Sequence, residues 1–184
     1  RNIAQGLVLL ADRRAGRRRR RDNRESLWIS SLRSALFNQV LAERVRNGSW
    51  NHCLAGDVLQ LDGRGSFFQP DPADAEWQSR LLSGEIHPTG PLPGDGAAVI
   101  EDEVAALEAA VLAPWQDICA DLAALRVPAQ RRALRLNVEG LQWQWLTPQV
   151  LQLSFALTAG AFATSVLQSL AELEEGQVDA LSVE

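Results

Sequence analysis

The apolar residues of this chain change their period part-way along, and that change limits what the chain can fold into. Leu32, Leu36, Phe37, Val40 and Leu41 recur at helical spacing, the stripe of a 3.6-residue repeat. From Leu134 the period falls to two. Leu134, Leu136 and Val138 alternate with other residues, then Leu141, Trp143 and Trp145, then Leu151, Leu153, Phe155 and Leu157. Three runs with one apolar face each predict an antiparallel sheet, with Trp143 and Trp145 packed in its core beside Leu141. Phe162, Val166, Leu170 and Leu173 return to helical spacing, which predicts a helix closing over that sheet. A chain carrying both periods is of mixed α+β class.

The intervening segments supply helices and turns. Asp22 and Glu25 form a capping-box-like start to a helix over about Arg24–Arg46, ended by Gly48 and Asn51. Asp57–Asp62 and Ser66–Gln69 flank Asp62-Gly63-Arg64-Gly65, a hairpin signal. Asp71-Pro72 and Gly84 bracket a short helix over Pro72–Ser83. Glu85–Pro88 is predicted as a strand, followed by a proline- and glycine-rich loop to Gly96. Val104, Leu107 and Val111 mark a further helix; Pro114 opens or kinks another running towards Leu125, which Val127-Pro128 ends. Gly176–Glu184 carries no strong signal and reads as a loosely held tail.

Charge is distributed unevenly. The 184 residues carry a net charge of −5, yet residues 1–46 hold twelve arginines against four acids, and the remainder six against nineteen. The arm Arg13, Arg14, Arg17, Arg18, Arg19, Arg20 and Arg21 is the densest cluster. Guanidinium forks suit phosphate, and each phosphate neutralised releases counterions, so the arm is a candidate RNA contact; a solvated linker is the other reading of the same run. Lysine is absent, which excludes a P-loop. His52 and His87 lack ligand-spaced partners, and Cys53 and Cys119 lack any metal-site spacing, so no metal is expected and the thiols read as free in a reducing cytosol. Apolar stretches are too short to span a bilayer, and a cytoplasmic monomer is expected. The chain contains no Met and opens on Arg1, which reads as a fragment or a processed piece.

Several motifs, in order, resemble the TruD family of tRNA pseudouridine synthases. Asn2-Ile3-Ala4-Gln5 is similar to the continuation of the family's glycine-rich segment. Ser31-Leu32-Arg33-Ser34-Ala35-Leu36-Phe37-Asn38 with Arg44 is similar to its SxxRSxLFNxxLxxR helix. Gly56–Leu61 with Gly63–Phe68 resembles its GDxLxLxGxGSxF hairpin, and Leu92–Gly96 its LPGxG loop. Arg131-Arg132-Ala133 and the block from Phe155 through Gly160 and Phe162 to Thr164 complete the series.

The resemblance implies an α/β catalytic domain, built on a mixed, largely antiparallel sheet and interrupted by an inserted α/β TRUD domain. On this reading residues 1–15 end the first catalytic half, 16–136 form the insertion, and 137–184 return to the catalytic domain. It implies isomerisation of uridine 13 in tRNA to pseudouridine by an aspartate, with no metal or organic cofactor. Phe162, Gly160 and Asn2 would bind the target uridine. The family's aspartate motif lies upstream of the segment matched here, so this chain would hold no catalytic residue and would be inactive alone. Gln168-Ser169 stands where the family usually has Arg-Glu, a departure that bears on any salt bridge or RNA contact the family makes from that turn. A non-catalytic RNA-binding or scaffolding module of the same shape and an acidic protein-interaction domain are the competing readings.

Overall fold

The computed structural model describes residues 1–17, 22–71, 76–97, 99–158 and 161–172. The chain forms two units, residues 1–135 and 136–184, each described in its own frame.

The first unit begins with helix α1 (Asn2–Arg14), which lies along the long helix α2 (Glu25–Arg46). A Cβ on Gly6 would stand 2.6 Å from Leu32 Cδ1 and 3.0 Å from the Trp28 carbonyl oxygen. Glycine weakens a helix interior by about 1 kcal/mol, and here it permits the close crossing of α1 and α2. Helix α2 starts as its sequence indicates: the Glu25 carboxylate accepts the Asp22 backbone N–H at 3.3 Å, and the Asp22 carboxylate accepts that of Arg24 at 2.8 Å. Trp28, Leu32, Leu36, Phe37, Val40 and Arg44 form its buried stripe, so Trp28 is a core residue, with the Arg24 guanidinium 5.5 Å from its ring centre.

Strands β1 (Leu59–Leu61), β2 (Phe67–Phe68), β3 (Ile86–Leu92) and β4 (Gln130–Ala133) form an antiparallel sheet in the order β2-β1-β3-β4. The hairpin turn lies where Asp62-Gly63-Arg64-Gly65 placed it. Strand β3, in contrast, runs through Pro88 and Pro91 to Leu92, beyond the expected end at Pro88. It changes partner along its length, pairing with β1 at Ile86–Pro88 and with β4 at Thr89–Leu92, and Pro88 still accepts from the Leu134 N–H at 2.8 Å. A proline forfeits only the donor side of a strand position.

Helix α3 (Glu76–Ser83) packs near β3; its expected opening residues, 72–75, lie outside the described residues. Leu59, Leu81 and Ile86 form one core cluster, and Phe37, Leu92 and Leu134 another against α2. Helices α4 (Asp102–Leu112) and α5 (Gln116–Ala124) are joined by a 3-10 turn at Ala113–Trp115, the break expected at Pro114.

The second unit contains β5 (Glu139–Thr147) and β6 (Val150–Ala156), an antiparallel hairpin, and helix α6 (Ala163–Leu170). Trp143 faces Leu153 and Trp145 faces Leu151, while Gln142 and Gln144 face Ser154 and Gln152. The alternation is therefore as read, but the three-stranded sheet is not. Leu134 is buried in the first unit, and the strand preceding it, β4, pairs with β3. Trp143 and Trp145 are 66% and 59% exposed, contrary to the core position expected for them. Helix α6 has no buried residue and so does not close a core. Periodicity fixes which residues share a face; it does not supply a layer to cover that face. Leu173 and the tail fall outside the described residues. The helix-plus-antiparallel-sheet class is the one found.

Candidate nucleic-acid interface

Helix α1 carries Arg13 and Arg14 in its last turn, where cations oppose the negative end of the helix dipole. Each described arginine of the arm has an acidic neighbour. Arg13 meets Glu25 at 3.4 Å, Arg17 meets Asp12 at 3.2 Å, and Arg14 donates from Nε and Nη2 to Asp121 at 3.3 and 2.5 Å. The Asp121 hydrogen bond and charge raise the Arg14 pKa. These pairs are largely exposed, where solvent screens them. Arg18, Arg19, Arg20 and Arg21 lie outside the described residues.

Asn2 is exposed in the first turn of α1. Phe162 caps α6 from an extended backbone and is 71% exposed, so its ring is presented to solvent, as a base-stacking surface requires. Gly160 lies outside the described residues. Asn2 belongs to the first unit and Phe162 to the second.

A second basic group, without an assigned role in the sequence, sits where α2 meets edge strand β4. Arg33 Nη2 donates to the carbonyls of Leu92 and Pro128 at 3.0 and 2.7 Å and approaches Gln130 Oε1 at 3.5 Å. Arg132 donates to Ser34 Oγ at 3.3 Å and stacks 5.3 Å from the centre of the Phe37 ring. Burial, and then the Arg132 charge, lower the Arg33 pKa. The signal was present in SxxRSxLFN and Arg131-Arg132-Ala133, but only the fold brings the two segments together.

Arg33 also fixes the Leu92–Gly96 loop. Asp95 N–H donates to the Val127 carbonyl at 2.6 Å, and a Cβ on Gly94 would lie 2.3 Å from that same oxygen. Glycine is the residue that fits. Next to this loop an apolar cavity of about 490 Å³ is lined by Val58, Leu92, Ile100, Leu112 and Cys119, with the Arg131–Glu108 pair in its wall. Arg131 donates to both Glu108 oxygens at 2.6 and 3.2 Å and to Thr89, while burial pushes the Glu108 carboxyl up.

His87, buried on β3, joins Asp62 and Arg135. Its Nε2 lies 2.7 Å from Asp62 Oδ1, and its Nδ1 accepts the Arg135 Nε–H at 2.7 Å. Accepting at Nδ1 assigns the neutral-ring proton to Nε2, which donates to Asp62. Arg135 also donates to the Ile86 carbonyl at 2.8 Å and to that of Leu81. Cys53 and Cys119 are free thiols. Among the described residues no three His, Cys, Asp or Glu side chains are grouped to hold a metal ion, and no helix is long and apolar enough to cross a membrane.

A helix-flanked antiparallel sheet with arginines at its edge, accompanied by an apolar hairpin and an exposed phenylalanine, defines an α+β protein with basic and aromatic surface groups. Residues 7–170 match the family described as tRNA pseudouridine synthase D (TruD), and the chain belongs to that family, as its ordered motifs led us to expect. It is 41% identical to the tRNA pseudouridine synthase D of Xanthomonas oryzae pv. oryzae over 97% of this chain and 52% of the relative. Similarity to that of Psychrobacter arcticus is 44% identity over 84% of this chain and 40% of the relative. The chain thus spans about half the length, or less, of these curated relatives. The crystal structure of TruD from Methanosarcina mazei shares the fold, with a TM-score of 0.63 and 21% identity over 79% of this chain and 38% of that one.

Proposed function

We propose that this chain is part of a tRNA pseudouridine synthase that isomerises uridine 13 of tRNA. The observation that carries this reading is the family match across residues 7–170, together with relatives of that name at about 40% identity. In the reaction the uracil leaves the RNA stack, detaches from its ribose with help from a carboxylate, turns, and rejoins through carbon 5. Phe162 holds the flipped base by stacking, Gly160 lets the RNA approach closely, and Asn2 contacts the uridine. The arm from Arg13 to Arg21 contacts tRNA phosphates, the exposed ion pairs of Arg13, Arg14 and Arg17 exchanging carboxylate for phosphate. The chemistry needs no cofactor, and the protein acts as a cytoplasmic monomer.

The nucleophilic aspartate belongs to the part of the enzyme upstream of the matched segment. Three aspartates of this chain are held in the fold and in keeping with that assignment: Asp22 with Arg24, Asp57 with Arg44 and Asp62 with His87. Residues 16–136 constitute the inserted domain, while residues 1–15 and 137–184 belong to the catalytic domain. The exposed face of Leu141, Trp143, Trp145 and Leu151 is consistent with a hairpin that joins a larger sheet.

The test is pseudouridine formation on unmodified tRNA, comparing this chain with the chain extended upstream to the length of its relatives. Conversion by the extended form alone is expected. Conversion by the short form would refute the upstream aspartate, and tRNA binding without conversion by either would favour the non-catalytic module.

A further inference from the structure

Most of the described arginines with a side-chain partner meet an acid, and a few are held by neutral groups, Arg135 among them through the His87 ring and two carbonyls. Arg13, Arg14, Arg17, Arg24, Arg44, Arg46, Arg80 and Arg131 are each ion-paired to an acid. Arg33 and Arg132 are a neighbouring pair that donate to neutral oxygens: two carbonyls, a carboxamide and a hydroxyl. Such a pair is costly in an acidic chain that could have supplied a carboxylate. Each cation repels the other, and Arg33 is in addition half-buried, with Nε sheltered from solvent and unpartnered. Both effects lower its pKa, burial first and the Arg132 charge second. An anion seated between the two guanidinium groups would offset the repulsion and the loss of hydration together.

The local structure holds the pair ready for such an anion. Arg33 Nη2 is occupied by the Leu92 and Pro128 carbonyls, which orients the planar group, while Nε is buried without a partner. Arg132 lies on Phe37, tethered by one Nη to Ser34. Stacking on a ring fixes a guanidinium plane while leaving its in-plane N–H groups available, the geometry that suits bidentate phosphate contact. Among the described residues β4 is the last strand of its sheet, so the pair stands at the sheet's edge.

We propose that Arg33 and Arg132, with Ser34 and Gln130 beside them, form a phosphate-binding site that holds a backbone phosphate of the RNA. The assignment rests on the RNA-modifying reading above and places a contact on the α2–β4 edge, apart from the arm at residues 13–21. Inorganic phosphate offers the same chemistry, so it serves as the control ligand.

Arginine Nε–Hε NMR signals of this chain would be followed on addition of inorganic phosphate and, separately, of unmodified tRNA, and tRNA affinity would be measured across a salt series for wild type, Arg132→Gln and Arg132→Lys. Movement of the Arg33 and Arg132 signals with both ligands is expected. Arg132→Gln should weaken tRNA binding several-fold and reduce the salt slope by about one, and Arg132→Lys should retain most of the slope. Undiminished affinity and slope in Arg132→Gln would overturn the site while leaving RNA binding intact. Phosphate-induced shifts without tRNA affinity would overturn the RNA assignment and remove the reading it rests on. Absence of shifts with either ligand would overturn the site itself.

Discussion

Arg44 Nη2 donates to Asp57 Oδ2 across 2.8 Å, with the two side chains 1% and 0% exposed. The same guanidinium also donates to the carbonyls of Ser49 and His52, so one side chain near the end of α2 ties the chain that follows it to the approach of β1. Burial pushes the Asp57 carboxyl up against the pull of Arg44. Removing one member of such a pair strands a buried charge, at about 3–5 kcal/mol. Arg44→Ala is expected to lose about that much stability in urea unfolding, and Arg44→Met combined with Asp57→Leu to lose less than the single change. Equal losses would mean that packing, and not the stranded charge, dominates.

The Leu92–Gly96 loop offers a test of close approach. Gly94→Ala drives a methyl group into the Val127 carbonyl, whereas nothing lies within 4 Å of a Cβ on Gly65. Gly94→Ala is expected to destabilise by about 1–3 kcal/mol or more and Gly65→Ala to change stability by about 0.5 kcal/mol at most. Thermal melting of the two variants compares them directly.

Alkaline pH isolates the cysteines, because the chain has neither lysine nor tyrosine. Burial, and then the Asp57 charge, push the Cys53 thiol up from 9.0 to about 11, and burial raises Cys119 as well. Between those two values the folded chain keeps a Cys53 proton that the unfolded chain has lost, so stability falls as pH rises through the window. Unfolding free energy measured from pH 8.5 to 11 should decline in wild type and decline less in Cys53→Ala. Matching declines in the two proteins would contradict the burial of Cys53.

The exposed tryptophans of β5 report whether the hairpin joins a larger sheet. In this chain Trp143 and Trp145 should be accessible to acrylamide, and their fluorescence should shift to the blue and become protected when the chain is extended upstream. Continued quenching in the extended protein would separate this face from any domain contact.

Helix α2 was legible because its apolar stripe, its Asp22 and Glu25 start and the break at Gly48 just past Arg46 agree. The β1–β2 turn was legible because Asp62-Gly63-Arg64-Gly65 has few other uses. Strand β3 extended past its reading because partner exchange along the strand accommodates two prolines, a tertiary circumstance. Leu134–Val138 looked like a strand by alternation alone, yet Leu134 belongs to the core against Phe37 and Leu92. The site was less legible still. Arg14 finds Asp121 across 107 residues, and Arg132 finds Ser34 across 98, pairings that no local pattern encodes. Asn2, Gly160 and Phe162 came from motif order, and Phe162 alone carried a physical reason, an aromatic ring at a turn into a helix.

The most direct measurement is position-resolved pseudouridine mapping of unmodified tRNA after incubation with the upstream-extended protein, wild type and Phe162→Ala. Pseudouridine at position 13 with wild type, and a loss of rate of tenfold or more in a Phe162→Ala protein that still folds and binds tRNA, is the expected result. Modification at another position, or an undiminished rate without the Phe162 ring, would contradict the account.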